Sequence, residues 1–256
     1  MIKVKPEIKY DNVVEGIFLQ RNNRFTAEVM IENVREVAHV KNTGRLKDLL
    51  VPNSKVVLQR SNNPERATKY DLISVYKPKF KWVNIDSLAP NALVHQFLEP
   101  LYDVVKPEHK YGDSRFDFYM ERGEEKYLME VKGCTLAKDP KEGIGYFPDA
   151  PTERGIKHLN ELINAAREGY HCTLAFVIQM NGIHYVFPNN KIQPEFGRTL
   201  VRAAKAGVEI VYHNCRVEAD SIRITGMVGD TGRYKLFFQN NYNSYIRENG
   251  KGQYKD

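Results

Sequence analysis

The stretch RFDFYMERGEEKYLMEVK, residues 115–132, constrains the fold more than any other part of the chain. Apolar residues alternate with polar ones on both sides of a break at Gly123-Glu124. Period-two alternation around a glycine-led turn predicts a β-hairpin. With Gly123 and Glu124 as the central pair, Arg122 faces Glu125, and counting outward brings Asp117 opposite Glu130. Directly opposed residues of an antiparallel pair sit roughly 5 Å apart at Cβ. Lys132, two residues past Glu130, points to the same side. The other side carries Phe116, Phe118, Met120, Tyr127, Met129 and Val131, a core-forming set. A slip of one residue would bury the carboxylates and expose the aromatics, so the register is strongly specified.

Two carboxylates at that separation can share one divalent cation, and hard oxygen ligands suit Mg²⁺ or Mn²⁺. A bound cation polarises a phosphoryl oxygen and lowers the pKa of its water. A neighbouring lysine orients that water or stabilises charge on the phosphorane. Asp117 and Glu130 are therefore candidate metal ligands, and with Lys132 they form a candidate set for phosphodiester hydrolysis. The same three side chains also suit a solvated hairpin face with a carboxylate–lysine lattice, because short motifs of this kind recur by chance.

A chain of 256 residues suffices for one large domain or two small ones. No apolar run approaches a membrane span, and the N-terminal MIKVKPEIKYDN lacks the apolar stretch of a secretory signal. Cys134, Cys172 and Cys215 are far apart and odd in number, which argues against a disulfide framework or a zinc ribbon. Buried thiols in a reducing cytoplasm are expected instead. The net charge of +6 is compatible with a polyanionic partner without requiring one. No membrane partner is expected, and a homo-oligomer is left open.

Residues 10 to about 80 read as five short strands, at 17–19, 25–31, 36–40, 56–59 and 70–76, separated by polar turns. Between the third and fourth, residues 42–50 offer one helical turn capped by Thr43. This order fits an OB-type Greek-key barrel. Such barrels bind oligonucleotides through a basic groove with stacking aromatics. Arg21, Arg24, Phe25, Lys41, Arg45, Arg60 and Arg66 are candidates for that groove. Small barrels also need Phe inside, and loop arginines are often merely solvated. Lys77-Pro78-Lys79-Phe80-Lys81 breaks the pattern and divides residues 1–80 from 81–225, with a tail at 226–256.

Beyond the boundary, a helix is expected from Pro90-Asn91 to Leu98, then the hairpin, then a Gly- and Pro-rich loop at 137–151. Thr152 caps a long helix whose apolar stripe is Ile156, Leu159, Leu162, Ile163 and Ala166, with Gly169 just past its end. Arg154, Lys157, His158 and Glu161 share another face. Asn181-Gly182 predicts a second hairpin joining 174–179 to 183–187. A helix at 194–206 and a strand at 208–212 complete a mixed sheet flanked by helices. The tail offers only a short apolar run at Leu236-Phe237-Phe238 and is expected to be a flexible basic arm or a dimer contact.

Four blocks carry a family likeness: Arg24-Phe25 with Asn42-Thr43-Gly44-Arg45; Lys110-Tyr111-Gly112 through Asp117; Glu130-Val131-Lys132; and Tyr146-Phe147-Pro148-Asp149-Ala150 with Thr152-Glu153-Arg154-Gly155 and Lys157-His158-Leu159. On these, from about Phe18 to Tyr212, the chain resembles the sugar fermentation stimulation protein family. The resemblance implies an α/β (α+β) fold, with an N-terminal OB-like barrel joined to a mixed-sheet nuclease-like domain of the PD-(D/E)xK type. Asp117 matches the motif's Asp, and Glu130 and Lys132 match its Glu-x-Lys. Arg154, Lys157 and His158 fall on the helix where such enzymes place phosphate-contacting or catalytic residues. Lys157 is accordingly a catalytic candidate. Arg154 and His158 join Arg21, Arg24, Phe25 and Arg45 as candidate nucleic-acid contacts.

The implied activity is DNA binding with Mg- or Mn-dependent hydrolysis of DNA or RNA. The alternative is a non-catalytic, largely sequence-nonspecific DNA-binding regulator of sugar (maltose-type) metabolism. Gln96 stands near where related folds add an acid from the first helix, and Lys41 stands where a cysteine is expected. Tyr146, Phe147, Pro148 and Asp149 read either as an aromatic lip over the site, with Asp149 an extra acid, or as loop packing.

Overall fold

Arg122 pairs with Glu125 across the Gly123-Glu124 turn, and each step outward keeps the expected register as far as Phe118 with Met129. The computed structural model describes residues 5–229, so the Leu236-Phe237-Phe238 run lies outside the described residues.

The first strand, β1 (Glu7–Lys9), precedes five strands that close on themselves: β2 (Val13–Arg21), β3 (Thr26–Ile31), β4 (Val34–His39), β5 (Lys55–Arg60) and β6 (Tyr70–Lys77). Their order is β4-β3-β2-β5-β6, and β6 returns to β4 through Ala38–Tyr70 and His39–Asp71. The result is an OB-like barrel, extended along β6 by β7 (Lys81–Asn84). Phe18, Val29, Val56, Leu58 and Leu72 fill its interior. At Gly16 a Cβ would lie 3.0 Å from both Leu58 Cδ1 and the Met30 carbonyl oxygen, so glycine permits the close approach of β2 to its neighbours. The helical turn expected at 42–50 starts only at Leu46, whose carbonyl accepts from the Leu49 and Leu50 amides. Thr43 does not cap it. Asn42 Oδ1 instead accepts from the Gly44 amide at 2.8 Å, the local turn an asparagine side chain readily forms.

After the barrel come α1 (Ala89–Leu98), β8 (Val104–Tyr111), β9 (Ser114–Arg122), β10 (Glu125–Cys134), β11 (Ile144–Phe147), α2 (Glu153–Arg167), β12 (His171–Ile178), β13 (Tyr185–Pro188), α3 (Pro194–Lys205), β14 (Glu209–Val217) and β15 (Ser221–Gly229). Seven strands form one sheet in the order β1-β15-β14-β12-β10-β9-β8. Its centre, β10-β12-β14, is parallel and its flanks are antiparallel. The α1 residues Leu93, Val94 and Leu98 pack on one face with Met120, Met129 and Val177. Those of α2 and α3, including Leu159, Leu162 and Phe196, pack on the other with Leu128, Leu174 and Phe176. Thr152 Oγ1 accepts from the Gly155 amide at 3.0 Å and caps α2, and Gly169 takes φ +96° beyond its end, as the sequence predicts. The three cysteines are free and buried. Among the described residues no helix is long and apolar enough to cross a membrane.

Three further expectations need correction. The hairpin about Asn181-Gly182 does not form, because β13 pairs in parallel with β11, inside the stretch expected to be loop. Asn181 is engaged elsewhere: its Nδ2 donates to the carbonyls of Phe80, Trp82 and Val217, and its Oδ1 accepts from the Val217 amide. This side chain ties the barrel's last strand to the end of β14. Second, β15 continues through Gly229, so the segment after Gly226 begins as strand. Third, the alternation breaks at Asp117. Phe116 belongs to the cluster under α2, whereas Phe118 belongs to the one under α1. The facing residue on β8, Glu108, lies between the Pro107–Phe118 and His109–Phe116 pairs and takes φ +55°.

Barrel and sheet share one continuous core, since Phe18, Leu58 and Leu72 belong to the same cluster as Leu162 and Phe176. A polar seam runs beside it. Lys41 lies 3.5 Å from Asp71 and 3.2 Å from Asp86, and Ser87 Oγ donates to the Lys41 carbonyl at 2.9 Å. The barrel loop carrying Lys41 is thereby fixed against the start of α1.

Candidate active site

The break at Asp117 aims its carboxylate along the ladder. Oδ2 accepts from the Val131 amide at 2.7 Å, just beyond the last Phe118–Met129 pair. Oδ1 accepts from Asn91 Nδ2, in the first turn of α1, at 2.7 Å. Glu130 projects from the adjacent strand toward α2 and is 2 % exposed. Its Oε1 receives both Lys132 Nζ and His158 Nδ1, while its Oε2 is buried without a partner. His158, also buried, accepts from Arg154 Nε at its Nε2, at 3.3 Å. A polar chain thus runs Arg154–His158–Glu130–Lys132, with Asp117 beside it.

The pKa values of the two acids are shifted in opposite directions. Burial and the Glu130 charge push the Asp117 carboxyl above its usual range, against the Val131 and Asn91 hydrogen bonds and the Lys132 charge. Burial also works against the Glu130 charge, but the His158 hydrogen bond and the Lys132 ammonium outweigh it and hold Glu130 below its usual range. Glu130 is thus the settled anion, and Asp117 is an acid whose charge the surrounding protein does not fully compensate. Oxygen donors with an orphaned buried lone pair and an uncompensated negative charge fit a divalent cation. Among the described residues no group of three or more His, Cys, Asp and Glu side chains is placed to hold one.

Two family models cover most of the chain. One, the SfsA N-terminal OB domain, matches residues 19–85, and the other, the sugar fermentation stimulation protein RE domain, matches residues 87–221. The chain belongs to the sugar fermentation stimulation protein family. A curated family homolog from Clostridium beijerinckii is 48% identical over 226 residues, which is 86% of this chain and 98% of that protein. One from Desulfitobacterium hafniense is 48% identical over 219 residues, 84% of this chain and 94% of its own length. Among solved structures, Pyrococcus furiosus SfsA in complex with Ca²⁺ superposes with a TM-score of 0.77 at 26% identity, over 88% of this chain and 98% of that one.

The remaining residues singled out in the sequence differ in their placement. Arg24, Phe25 and Arg45 are exposed at the barrel rim. Arg21 is not available there, because every donor of its guanidinium is engaged. Nε bonds the Asn23 carbonyl, Nη1 those of Gly44 and Arg45, and Nη2 those of Arg24 and Asn42. Arg21 therefore clamps two loops whose other side chains face outward. His158, expected as a nucleic-acid contact, is buried with both ring nitrogens occupied and acts inward. Lys157, expected near the chemistry, donates to the Asp113 carbonyl at 2.9 Å on the outer side of α2. With Arg154 it lines an open cleft of about 670 Å³ together with Ser114 and Arg115. Arg66 is turned into the barrel seam by Asp71, and Arg60 lies over the Tyr70 ring at 5.4 Å.

Gln96 does not face the site. Its Oε1 accepts from the Glu7 amide and its Nε2 donates to the Glu7 carbonyl, binding α1 to β1 like one more strand residue. The α1 residue that reaches the site is Asn91, expected from the sequence only as a helix opener. Phe147 packs at 5.7 Å on Phe176 and 5.1 Å on Phe196, so this part of the expected lip is core. Asp149 sits against the barrel loop, where a Cβ on Gly44 would lie 2.7 Å from its Oδ2. Its charge partly offsets the burial that lowers the Arg21 pKa.

Proposed function

We propose that this chain is a nucleic-acid-binding protein whose mixed-sheet part is a divalent-metal-dependent phosphodiesterase acting on DNA or RNA. The observation that carries the reading is the buried acid pair, in which Asp117 is pushed toward protonation and Glu130 keeps an oxygen without a partner. Asp117 and Glu130 would hold Mg²⁺ or Mn²⁺, and the Ca²⁺ bound by the Pyrococcus furiosus relative supports a hard divalent ion. When bound, such an ion polarises a phosphoryl oxygen and acidifies a water. Asn91 and the Val131 amide orient the Asp117 carboxylate. Lys132 holds a positive charge where the phosphorane develops negative charge.

Binding is assigned to the barrel within residues 1–80 and chemistry to residues 81–225. Arg24 and Arg45 would neutralise phosphates while Phe25 stacks on a base. Arg154 and Lys157 would meet the backbone at the flank of the site. A second reading, a DNA-binding regulator of sugar metabolism without turnover, is favoured by one observation: Gln96, near where related folds add an acid from the first helix, is bonded to the Glu7 backbone instead.

The test is cleavage of labelled single- and double-stranded DNA and RNA with Mg²⁺ or Mn²⁺, comparing wild type with Asp117→Ala and Lys132→Ala. Cleavage by wild type and by neither variant is the expected result. Binding without cleavage under either metal would favour the regulator.

A further inference from the structure

We propose that His158 is a positioning residue that aims Glu130, so that only Oε2 of that carboxylate is offered to a cation. The inference rests on the metal-site reading above and deepens it. An arginine can only donate, so the Arg154 Nε contact at 3.3 Å makes His158 Nε2 an acceptor. The ring proton therefore sits on Nδ1, which donates to Glu130 Oε1. Lys132 donates to the same oxygen. Two donors on Oε1 and none on Oε2 fix both the rotation of the carboxylate and the atom left open. The imidazole is itself held in place, with Phe116 edge-on at 6.0 Å and only 4 % of the residue exposed. Arg154 reaches the outer cleft, so one polar chain joins that surface to the Glu130 carboxylate. His213, by contrast, is buried with neither ring nitrogen hydrogen-bonded and orients no carboxylate.

The test is Ca²⁺ binding to the full chain by calorimetry, for wild type, His158→Phe, His158→Asn, Arg154→Met and Asp117→Asn. His158→Phe keeps the ring and removes the donor, and is expected to weaken Ca²⁺ about 10- to 100-fold, as loss of a group that orients a metal ligand does. In His158→Asn the amide nitrogen takes the place of Nδ1 and recovers most of that loss. Arg154→Met weakens Ca²⁺ less than His158→Phe. Unfolding in EDTA separates a folding defect from a binding defect, because a purely structural histidine would lower stability and leave Ca²⁺ affinity unchanged.

Wild-type or tighter Ca²⁺ binding by His158→Phe, alongside its loss in Asp117→Asn, overturns the positioning role and leaves the metal site standing. Unchanged binding in Asp117→Asn overturns both. Should the phenylalanine variant fail to fold, ¹⁵N imidazole shifts of the wild type decide. The Nδ1–H tautomer at His158 is expected, and the Nε2–H tautomer overturns the proposal.

Discussion

Asp71 in the barrel and Glu130 in the sheet are both buried acids that meet a histidine, yet their surroundings differ. Asp71 closes the barrel at the His39–Asp71 pair and is surrounded by cations. Arg66 binds it through both carboxylate oxygens at 2.7 and 3.1 Å, His39 Nδ1 lies at 3.1 Å and Lys41 at 3.5 Å. Burial raises its pKa, but the hydrogen bonds from Arg66 and His39 and the charges of Lys41 and Arg66 bring it below the usual range. Both of its oxygens are engaged. At Glu130 both donors converge on one oxygen and the other stays bare, while Asp117 nearby is left with its charge disfavoured. A buried acid that serves only the fold is satisfied from every side, since an unpaired buried charge costs several kcal/mol. On the proposed reading, the oxygen left bare at Glu130 and the disfavoured charge at Asp117 are where a cation would bind.

Breaking this comparison at its functional end should have the largest effect. Lys132→Met is expected to lower single-turnover cleavage about 1,000-fold, the scale of losing one preorganised charge in a phosphoryl-transfer site. Fluorescence anisotropy should find nucleic-acid binding little changed, because the barrel rim is untouched. Loss of cleavage and binding together would remove Lys132 from the chemistry.

At the structural end, Asp71→Ala should destabilise the fold by about 3 kcal/mol, as removal of one partner from a buried ionic cluster does. Denaturant unfolding measures this. Ca²⁺ affinity should not change, and a large change would make the two centres one coupled system. The pH dependence follows from the same pairing. The folded-state pKa of Asp71 is depressed, so its contribution is present above the unfolded value and lost as pH falls through the folded one. Asp71→Asn should therefore flatten the acid limb of the stability curve. Asp117 has the opposite sign: its raised value makes the folded state relatively more stable once that carboxyl is protonated.

How much of this was legible in the sequence differs between the two centres. Period-two alternation set the hairpin register from Arg122–Glu125 to Phe118–Met129, but not the placement of Asp117, where the alternation breaks and the carboxylate turns to the Val131 amide and Asn91. The caps of α2 were equally readable, since Thr152 and Gly169 act within one turn of chain. Contacts distant in sequence were not. Asn181 looked like a hairpin turn but bonds Phe80, Trp82 and Val217. Arg21 looked like a groove residue but sends three of its hydrogen bonds to a loop about twenty residues away. Asparagine and arginine have enough donors to serve as cross-links, and nothing in local composition distinguishes that use from exposure. The His158–Glu130 contact was hidden for the same reason. A polar face on α2 was visible, but which of its members turned inward depended on a strand 28 residues earlier.

The smallest effects belong to the barrel rim, and they separate the two kinds of contact proposed for it. The clamp of Arg21 on the carbonyls of Asn42, Gly44, Arg24 and Arg45 fixes the loops carrying Arg24, Phe25 and Arg45 relative to each other. Asn23 Oδ1 adds to this by accepting from the Phe25 and Thr26 amides at 2.8 and 3.0 Å. Phe25 is thus 56 % exposed on a backbone that is not free to bury it. Phe25→Ala should weaken single-strand binding by about 1 to 2 kcal/mol, the worth of one base stacked on an aromatic ring. Stacking releases no counterions, so the slope of log K against log salt should stay as in wild type. Arg45→Ala should cost less at moderate salt but reduce that slope by about 0.7, the single-strand value for one phosphate contact. The two variants are therefore told apart by a salt titration even where their affinities coincide. A change in slope for Phe25→Ala, or none for Arg45→Ala, would mean that nucleic acid does not cross the rim as its exposed side chains suggest.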